Sequence, residues 1–147
     1  MDTVSKIALS KISDRDIKTG DALMFDIDDT LIYSKNGKPI KWVIEFLNTG
    51  KQLGYTIVII TARPDEVTSR VATRDQLYKL NISYDLLIFC PPIQKAREKI
   101  KTGLNYIMCL GDQLTDLSGG MYFIKLPDYT DSRYLIGTTN TSSGCYN

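Results

Sequence analysis

The stretch ALMFDIDDT, residues 22–30, decides the fold, because a short apolar run passes directly into a cluster of carboxylates. An apolar run of this length is typical of a strand that is buried on both faces of a parallel sheet. Comparable runs, each bounded by Gly, Asp or Pro, recur along the chain. Together they predict five parallel strands, at residues 22–25, 56–60, 86–89, 106–110 and 121–124.

Candidate helices separate these strands. They lie at about residues 39–47, 64–77 and 93–101, and a short turn or helix follows residue 112. This alternation predicts an α/β fold, a doubly wound, Rossmann-like sandwich of three layers. Ligands bind such a sheet at the switch point, where the strand order reverses. The first strand lies at this point if strands 2 and 3 extend from one side of it and strands 4 and 5 from the other, which predicts the strand order 3-2-1-4-5.

The composition limits the class of protein. The chain has 147 residues, of which 43% are hydrophobic and 24% charged, and these values exclude collagen-like and fully disordered proteins. The length predicts one domain, residues 1–147, with a core at about 21–127 and a polar, frayed tail at about 138–147. Lys+Arg 18 against Asp+Glu 17 gives a net charge of +1, so no overall field indicates a nucleic-acid or membrane binder.

Histidine is absent, which excludes His-based triads, His general bases and most catalytic zinc sites. Three cysteines without CxxC spacing fit neither a disulfide framework nor a zinc ribbon, and Cys90 and Cys109 are expected to be buried. Residues 1–16 carry charges throughout and contain no apolar signal segment, and no run reaches membrane-spanning length. We therefore expect a cytoplasmic protein with no membrane partner.

Polar side chains cluster where the predicted strands end. In an open α/β sheet these carboxyl ends lie at one edge, where ligands bind. Any one of these residues alone has an ordinary explanation as a turn or cap, but their order, each group directly after an apolar strand, favours a common site. The residues are Asp26, Asp28 and Asp29 after the first strand, Thr61 and Arg63 after the second, Lys95 at the start of the third helix, and Asp112 and Asp116 after the fourth strand.

This set of residue types favours phosphoryl transfer. The Asp26 carboxylate can attack phosphorus and form an acyl-phosphate, while Asp28, on the same side of the extended chain, can act as general acid and base. Carboxylates without histidine form a hard oxygen site that suits Mg²⁺. Thr61 and Lys95 can bind the phosphate oxygens.

The ordered motifs resemble those of the haloacid dehalogenase (HAD) superfamily, in particular its acid-phosphatase branch, which includes plant vegetative storage proteins and class B acid phosphatases. The resemblance covers about residues 21–127. It implies that Asp26 is the phosphorylated nucleophile and Asp28 the acid and base. It also implies that Mg²⁺ is bound by Asp26, the backbone carbonyl of Asp28, and Asp112. Asp116 would support the metal through water or position Lys95.

Two residues have less definite roles in this resemblance. Asp29 stands where relatives often have Glu or Gly, so a turn or cap role is favoured. Arg63 either touches substrate or pairs with a carboxylate near the edge of the sheet. Many HAD enzymes insert a cap domain, but here only about ten residues, 31–40, separate the first motif from its helix. The site is therefore expected to be open unless an oligomeric partner covers it.

The predicted function is a Mg²⁺-dependent phosphomonoesterase acting on a phosphorylated small molecule through an aspartyl-phosphate. The alternative is a polynucleotide 3′-phosphatase or nucleotidase, because a basic flap at residues 34–41 and a second basic edge adjoin the predicted site, and either could contact a nucleic-acid end. A non-catalytic binding or storage protein is disfavoured because the nucleophile is present. The second basic edge consists of Lys95, Arg97, Lys99 and Lys101.

Overall fold

The sheet has the predicted strand order, extended by two further strands. The computed structural model describes the backbone of residues 2–138 and 144–146 and the side chains of residues 3–138. The described strands form one sheet in the order β3-β2-β1-β4-β5-β6-β7. They are β1 (Asp21–Phe25), β2 (Thr56–Thr61), β3 (Leu86–Phe89), β4 (Asn105–Gly111), β5 (Tyr122–Lys125), β6 (Tyr134–Thr138) and β7 (Gly144–Tyr146).

The first five strands confirm the prediction of a doubly wound parallel sheet. Every pairing among them is parallel, with β1 between β2 and β4. Strands β6 and β7 add to the β5 edge in antiparallel pairs and were not predicted. Residues 144–146 therefore pair within the sheet, in contrast to the expected frayed tail. The rest of that tail, residues 139–143 and 147, lies outside the described part of the chain.

Helices cover both faces of the sheet. They are α1 (Asp2–Ser13), α2 (Lys41–Leu53), α3 (Val67–Lys79) and α4 (Lys95–Thr102), with short 3₁₀ turns at Pro92–Gln94 and Leu114–Asp116. Helix α1 was not predicted, although Val4, Ala8 and Ile12 recur at helical spacing and are fully buried. None of the helices in the described residues is long and apolar enough to cross a bilayer.

Strand β1 lies at the centre of the core and is buried along its whole length. Alternation along the strand sends Leu23 and Phe25 into the cluster that contains α1 and α2, and Ala22 and Met24 into the cluster on the opposite face. Gly50 allows α2 to approach this strand, because a Cβ there would lie 2.4 Å from Leu23 Cδ1. The end of β1 is thereby fixed from both faces.

Candidate active site

Asp26 follows the last residue of β1, between the ends of two neighbouring strands. Phe25 pairs with Ile59 of β2 and with Leu110 of β4. The Asp26 backbone N–H donates to the Leu110 carbonyl at 3.1 Å, so the residue is anchored against β4. Its side chain is 10% exposed and lines a cavity that opens to solvent. The expectation that Asp26 and Asp112 follow adjacent strands is confirmed.

Lys95 joins two of the predicted carboxylates. It is the first residue of α4, and its Nζ donates to Asp26 Oδ1 at 3.0 Å and to Asp116 Oδ1 at 2.5 Å. All three side chains are buried. The sequence placed these residues at one edge of the sheet, and the structure brings them into direct contact.

The loop after β4 carries Asp112 and Asp116. Asp116 closes a capping box, since its Oδ2 accepts a hydrogen bond from the Gln113 backbone N–H at 3.1 Å. Gly111 makes room for this side chain, because a Cβ there would lie 2.2 Å from Asp116 Cβ. One carboxylate oxygen from each of Asp26, Asp112 and Asp116 lies within 4.8 Å of the others.

Lys99 holds this loop in place, a role that the sequence analysis missed. It was assigned to an exposed basic edge, but it is 2% exposed, and its Nζ donates to the backbone carbonyl of Asp116 at 2.5 Å and to that of Ser118 at 2.8 Å. Burial lowers the pKa of Lys99. The available signal was the spacing from Lys95, because residues four apart share one face of a helix.

Asp28 lines the same cavity but stands apart from the Lys95 cluster and is held by Arg63. The guanidinium makes a bidentate pair, with Nε 3.0 Å from Asp28 Oδ2 and Nη2 2.9 Å from Asp28 Oδ1. Arg63 Nη1 also donates to Thr73 Oγ1 at 3.2 Å and to Gln76 Oε1 at 2.8 Å on α3. Of the two roles considered for Arg63, the structure places it in the carboxylate pair. The helix thus fixes the arginine, and the arginine fixes the carboxylate.

Thr61 lies beneath the site. It is fully buried at the end of β2, and its Oγ1 accepts a hydrogen bond from the Arg63 backbone N–H at 3.1 Å. The next two residues, Ala62 and Arg63, line the cavity, whereas Thr61 does not. A phosphate-binding role for Thr61 stays a prediction, and the observed role is to shape the turn after β2.

The carboxylate cluster has an excess of negative charge. When all are ionised, three buried carboxylates face one ammonium, so two negative charges are uncompensated. Burial raises the pKa of Asp26 well above its usual range and the charge of Asp116 raises it further, whereas Lys95 opposes both effects. Burial also raises the pKa of Asp116. Burial acts against the charge of Lys95, but the two carboxylates outweigh it and raise the pKa of Lys95.

This cluster fits a divalent cation. Two positive charges would balance the excess, and buried carboxylate oxygens are the ligands that hard cations prefer. Asp112 Oδ1 is buried and has no hydrogen-bond partner among the described residues. A buried charged oxygen without a partner is costly, and a bound cation would remove that cost. The residues therefore could hold a divalent metal.

The cavity above these side chains has a volume of about 410 Å³ and opens to solvent. Beside it, residues 31–40 form a short loop that returns through a hydrogen bond from Ile40 N to Leu31 O. Asp29 shapes the start of this loop in the left-handed region, at φ 60°, and accepts hydrogen bonds from Ser34. Within the described residues no cap domain covers the cavity.

Comparison with known proteins agrees with this architecture. Residues 32–132 match the family described as HAD superfamily, subfamily IIIB (acid phosphatase). The match covers more than half of the chain, and the chain belongs to this family, which is a class of phosphoric monoester hydrolases. The resemblance inferred from the motifs is thereby confirmed. Asp26 and Asp28 precede the matched range, so their assignment rests on the order of the motifs and on the geometry described above.

A solved structure shares the fold at low sequence identity. It is described as "Structure of Pnkp1/Rnl/Hen1 complex", with a TM-score of 0.58 and 22% identity. The similarity covers 71% of this chain and 43% of that chain, so this protein spans less than half of the length of its structural relative. Among curated proteins no match is found.

Proposed function

We propose that this protein is a divalent-metal-dependent phosphomonoesterase that forms an aspartyl-phosphate on Asp26. The observation that carries the proposal is the buried cluster of Asp26, Asp112 and Asp116 around Lys95, with Asp28 held separately by Arg63. The cluster joins a nucleophile to a cation site, and Asp28 supplies a second carboxylate that can exchange protons. Membership in an acid-phosphatase family supports this proposal.

Asp26 and Asp112 would hold the metal, and Asp116 would contribute directly or through water. Mg²⁺ is the favoured ion because the available donors are oxygens and the chain contains no histidine. When bound, Mg²⁺ would reduce the repulsion between the carboxylates and a phosphate dianion. Lys95, already paired with Asp26, adds fixed positive charge on the same side of the cavity.

The chain's own residues can complete the reaction in two steps. In the first step, an Asp26 carboxylate oxygen bonds to phosphorus as the bond from phosphorus to the leaving oxygen breaks, and Asp28 gives its proton to that oxygen. In the second step, Asp28 takes a proton from water, the water oxygen bonds to phosphorus, and the bond from Asp26 to phosphorus breaks. Free phosphate is released and both carboxyl groups return to their starting state.

Arg63 is a positioning residue for the second step. Its bidentate pair requires the ionised form of Asp28, which is the form that accepts a proton from water. Thr73 and Gln76 hold the guanidinium from the helix behind it, so the protein itself orients the ionised form of Asp28. The first step requires Asp28 to carry a proton and to turn toward the leaving oxygen.

The placement of the lysines on α4 supports a small-molecule substrate over a polynucleotide end, whereas Lys35, Lys38 and Lys41 of the flap at residues 34–41 are exposed. Lys95 and Lys99 are buried on partners inside the protein, and Lys101 pairs with Glu98. Of the four basic residues on α4, Arg97 is the one that the described residues neither bury nor hold in an ion pair. A polynucleotide phosphatase binds several phosphates beyond the scissile one, and its affinity falls steeply with salt. Equal kcat/KM for a mononucleotide and an oligonucleotide with the same terminal 3′-phosphate, across a salt series, would support the small-molecule proposal.

Hydrolysis of a chromogenic aryl phosphate tests the proposal itself. The wild-type protein is expected to turn over in Mg²⁺ and to lose activity in excess chelator. Asp26→Asn should abolish turnover, because the amide is neither a nucleophile of comparable strength nor an anionic ligand. Asp75→Asn, a matched change at an exposed carboxylate paired with Lys79, should keep turnover within about twofold. Wild-type activity in Asp26→Asn would contradict the mechanism, and full activity in chelator would contradict the metal requirement.

A further inference from the structure

A second cavity of about 310 Å³ lies beside the active-site cavity, over the carboxyl ends of β2 and β3. The two cavities share four lining residues, so together they form one continuous depression. We call the second cavity the proline groove. The shared residues are Ala62, Arg63, Pro64 and Pro92, and the wall of the groove beyond them includes Asp65 and Pro91.

The proton donor indicates on which side of the active site the leaving group lies. In an in-line displacement the leaving oxygen is opposite the nucleophile, within reach of the acid that protonates it. The acid proposed here is Asp28, and its partner Arg63 lines both cavities. Lys95 and Asp116 line the same active-site cavity, but Lys95 joins Asp116 to the nucleophile Asp26 and not to the acid. The part of the substrate beyond the leaving oxygen therefore extends across Arg63 into the proline groove.

The chemistry of the groove selects the kind of leaving group. Three proline rings and the Ala62 methyl group provide apolar surface. Arg63 directs four N–H groups to Asp28 and to α3, and Asp65 is paired with Arg70. The cation in the lining is thus already committed, so additional phosphate groups would gain little there.

We propose that the proline groove is the subsite for the leaving group, and that it binds an uncharged planar ring by packing that ring against the prolines. This inference rests on the proposed phosphomonoesterase function and specifies the substrate class for that same site. Adenosine 5′-monophosphate and ribose 5-phosphate are suitable probes, because both leave from a 5′-hydroxyl and differ in the planar base.

The experiment measures kcat/KM for both probes in the wild type and two proline variants. Covering roughly 50 Å² of apolar surface of the base predicts a preference of about tenfold for the nucleotide in the wild type. Pro91→Ala removes two ring methylenes. If each is about half covered by the base, their loss equals the loss of about one fully buried methylene and should reduce the preference roughly fourfold. Pro91 lines only the groove and has φ −57°, which alanine adopts readily.

Pro127→Ala is the matched control. Pro127 lines another cavity of about 210 Å³ with Tyr33 and Tyr134, which meets the active-site cavity only at Asp29 and shares no lining residue with the proline groove. This variant should keep the wild-type preference. A preference near one in the wild type, or equal losses in the two variants, would overturn the groove proposal and leave the phosphatase proposal intact. Failure to hydrolyse both probes and the aryl phosphate would instead contradict the proposed function, and the subsite with it.

A charged ring tests the requirement for an uncharged group. A sulfonate on the ring of naphthyl phosphate should lower kcat/KM relative to unmodified naphthyl phosphate. Asp65→Lys, which places a cation in the groove, should raise kcat/KM for the sulfonated ester relative to the unmodified ester about threefold at low salt. If the sulfonate raised kcat/KM in the wild type, the proposed selectivity for uncharged rings would be wrong.

Discussion

Removing the Lys95 ammonium is expected to destabilise the protein strongly when divalent metal is absent. In Lys95→Met, Asp26 and Asp116 lose ion pairs of 3.0 and 2.5 Å at positions where the side chains are 10% and 1% exposed. Breaking a buried pair by removing one partner costs about 3–5 kcal/mol. This loss is a large fraction of the roughly 5–15 kcal/mol that stabilises a domain.

The loss should depend on pH in a definite direction. The pKa values of Asp26 and Asp116 are raised in the folded state, so above the unfolded value of about 3.9 the folded protein holds more protons and its stability falls as pH rises. Lys95 opposes this rise in pKa. Without Lys95 the pKa values of both carboxyl groups are higher still, so the stability falls by a larger amount and continues to fall to a higher pH. The pKa of Lys95 itself is raised, so its charge is constant below about 10.4 in both states.

Urea unfolding in chelator at pH 5 and pH 8 measures this effect. We expect Lys95→Met to cost about 1–2 kcal/mol at pH 5, where the carboxyl groups take up protons, and about 3–5 kcal/mol at pH 8. Lys79→Met removes an exposed lysine paired with Asp75 and should leave the unfolding midpoint nearly unchanged at both pH values. Equal costs for Lys95→Met at the two pH values, or costs no larger than those of Lys79→Met, would refute the charge argument.

Two further substitutions test the loop after β4. Gly111→Ala places a Cβ 2.2 Å from Asp116 Cβ and should therefore displace Asp116. We expect this change to lower the free energy of unfolding in urea by about 1–3 kcal/mol and to reduce kcat. An unchanged kcat would contradict the packing argument. Lys99→Met leaves a buried carbonyl unsatisfied and should lower the free energy of unfolding by about 1–3 kcal/mol. Lys101→Met, at an exposed lysine, should lower it by less than about 1 kcal/mol. Equal unfolding midpoints for the two variants would show that Lys99 does not hold the loop.

Much of the fold follows from local patterns in the sequence. The apolar runs of β1 to β5 are bounded by Asp, Gly or Pro, and their alternation with helices limits the order of a doubly wound sheet. Because the order is known, the residues after β1 and β4 are expected to meet. The position of the carboxylate cluster was therefore predictable before any contact was seen.

The remaining features depend on tertiary packing. Strand β6 was missed although Tyr134, Ile136 and Thr138 are residue types that favour strands, because Gly137 interrupts this short run and its pairing depends on the free edge of β5. The burial of Lys99 is set by the loop that packs over it, whereas a run of lysines on a helix suggests a solvated surface. The pair between Asp28 and Arg63 joins residues 35 apart, and nothing local to either residue specifies it.

Trapping the phosphoryl group on the protein tests the central claim most directly. Wild type and the variants Asp26→Asn and Asp28→Asn would be mixed with a substrate carrying radiolabelled phosphate in Mg²⁺ and quenched in acid. Asp28→Asn should retain the most label, because it lacks the base that activates water, and the label should be released by hydroxylamine, as an acyl-phosphate is. Asp26→Asn should retain none. Label that persists in Asp26→Asn, or that maps to another residue, would contradict the account.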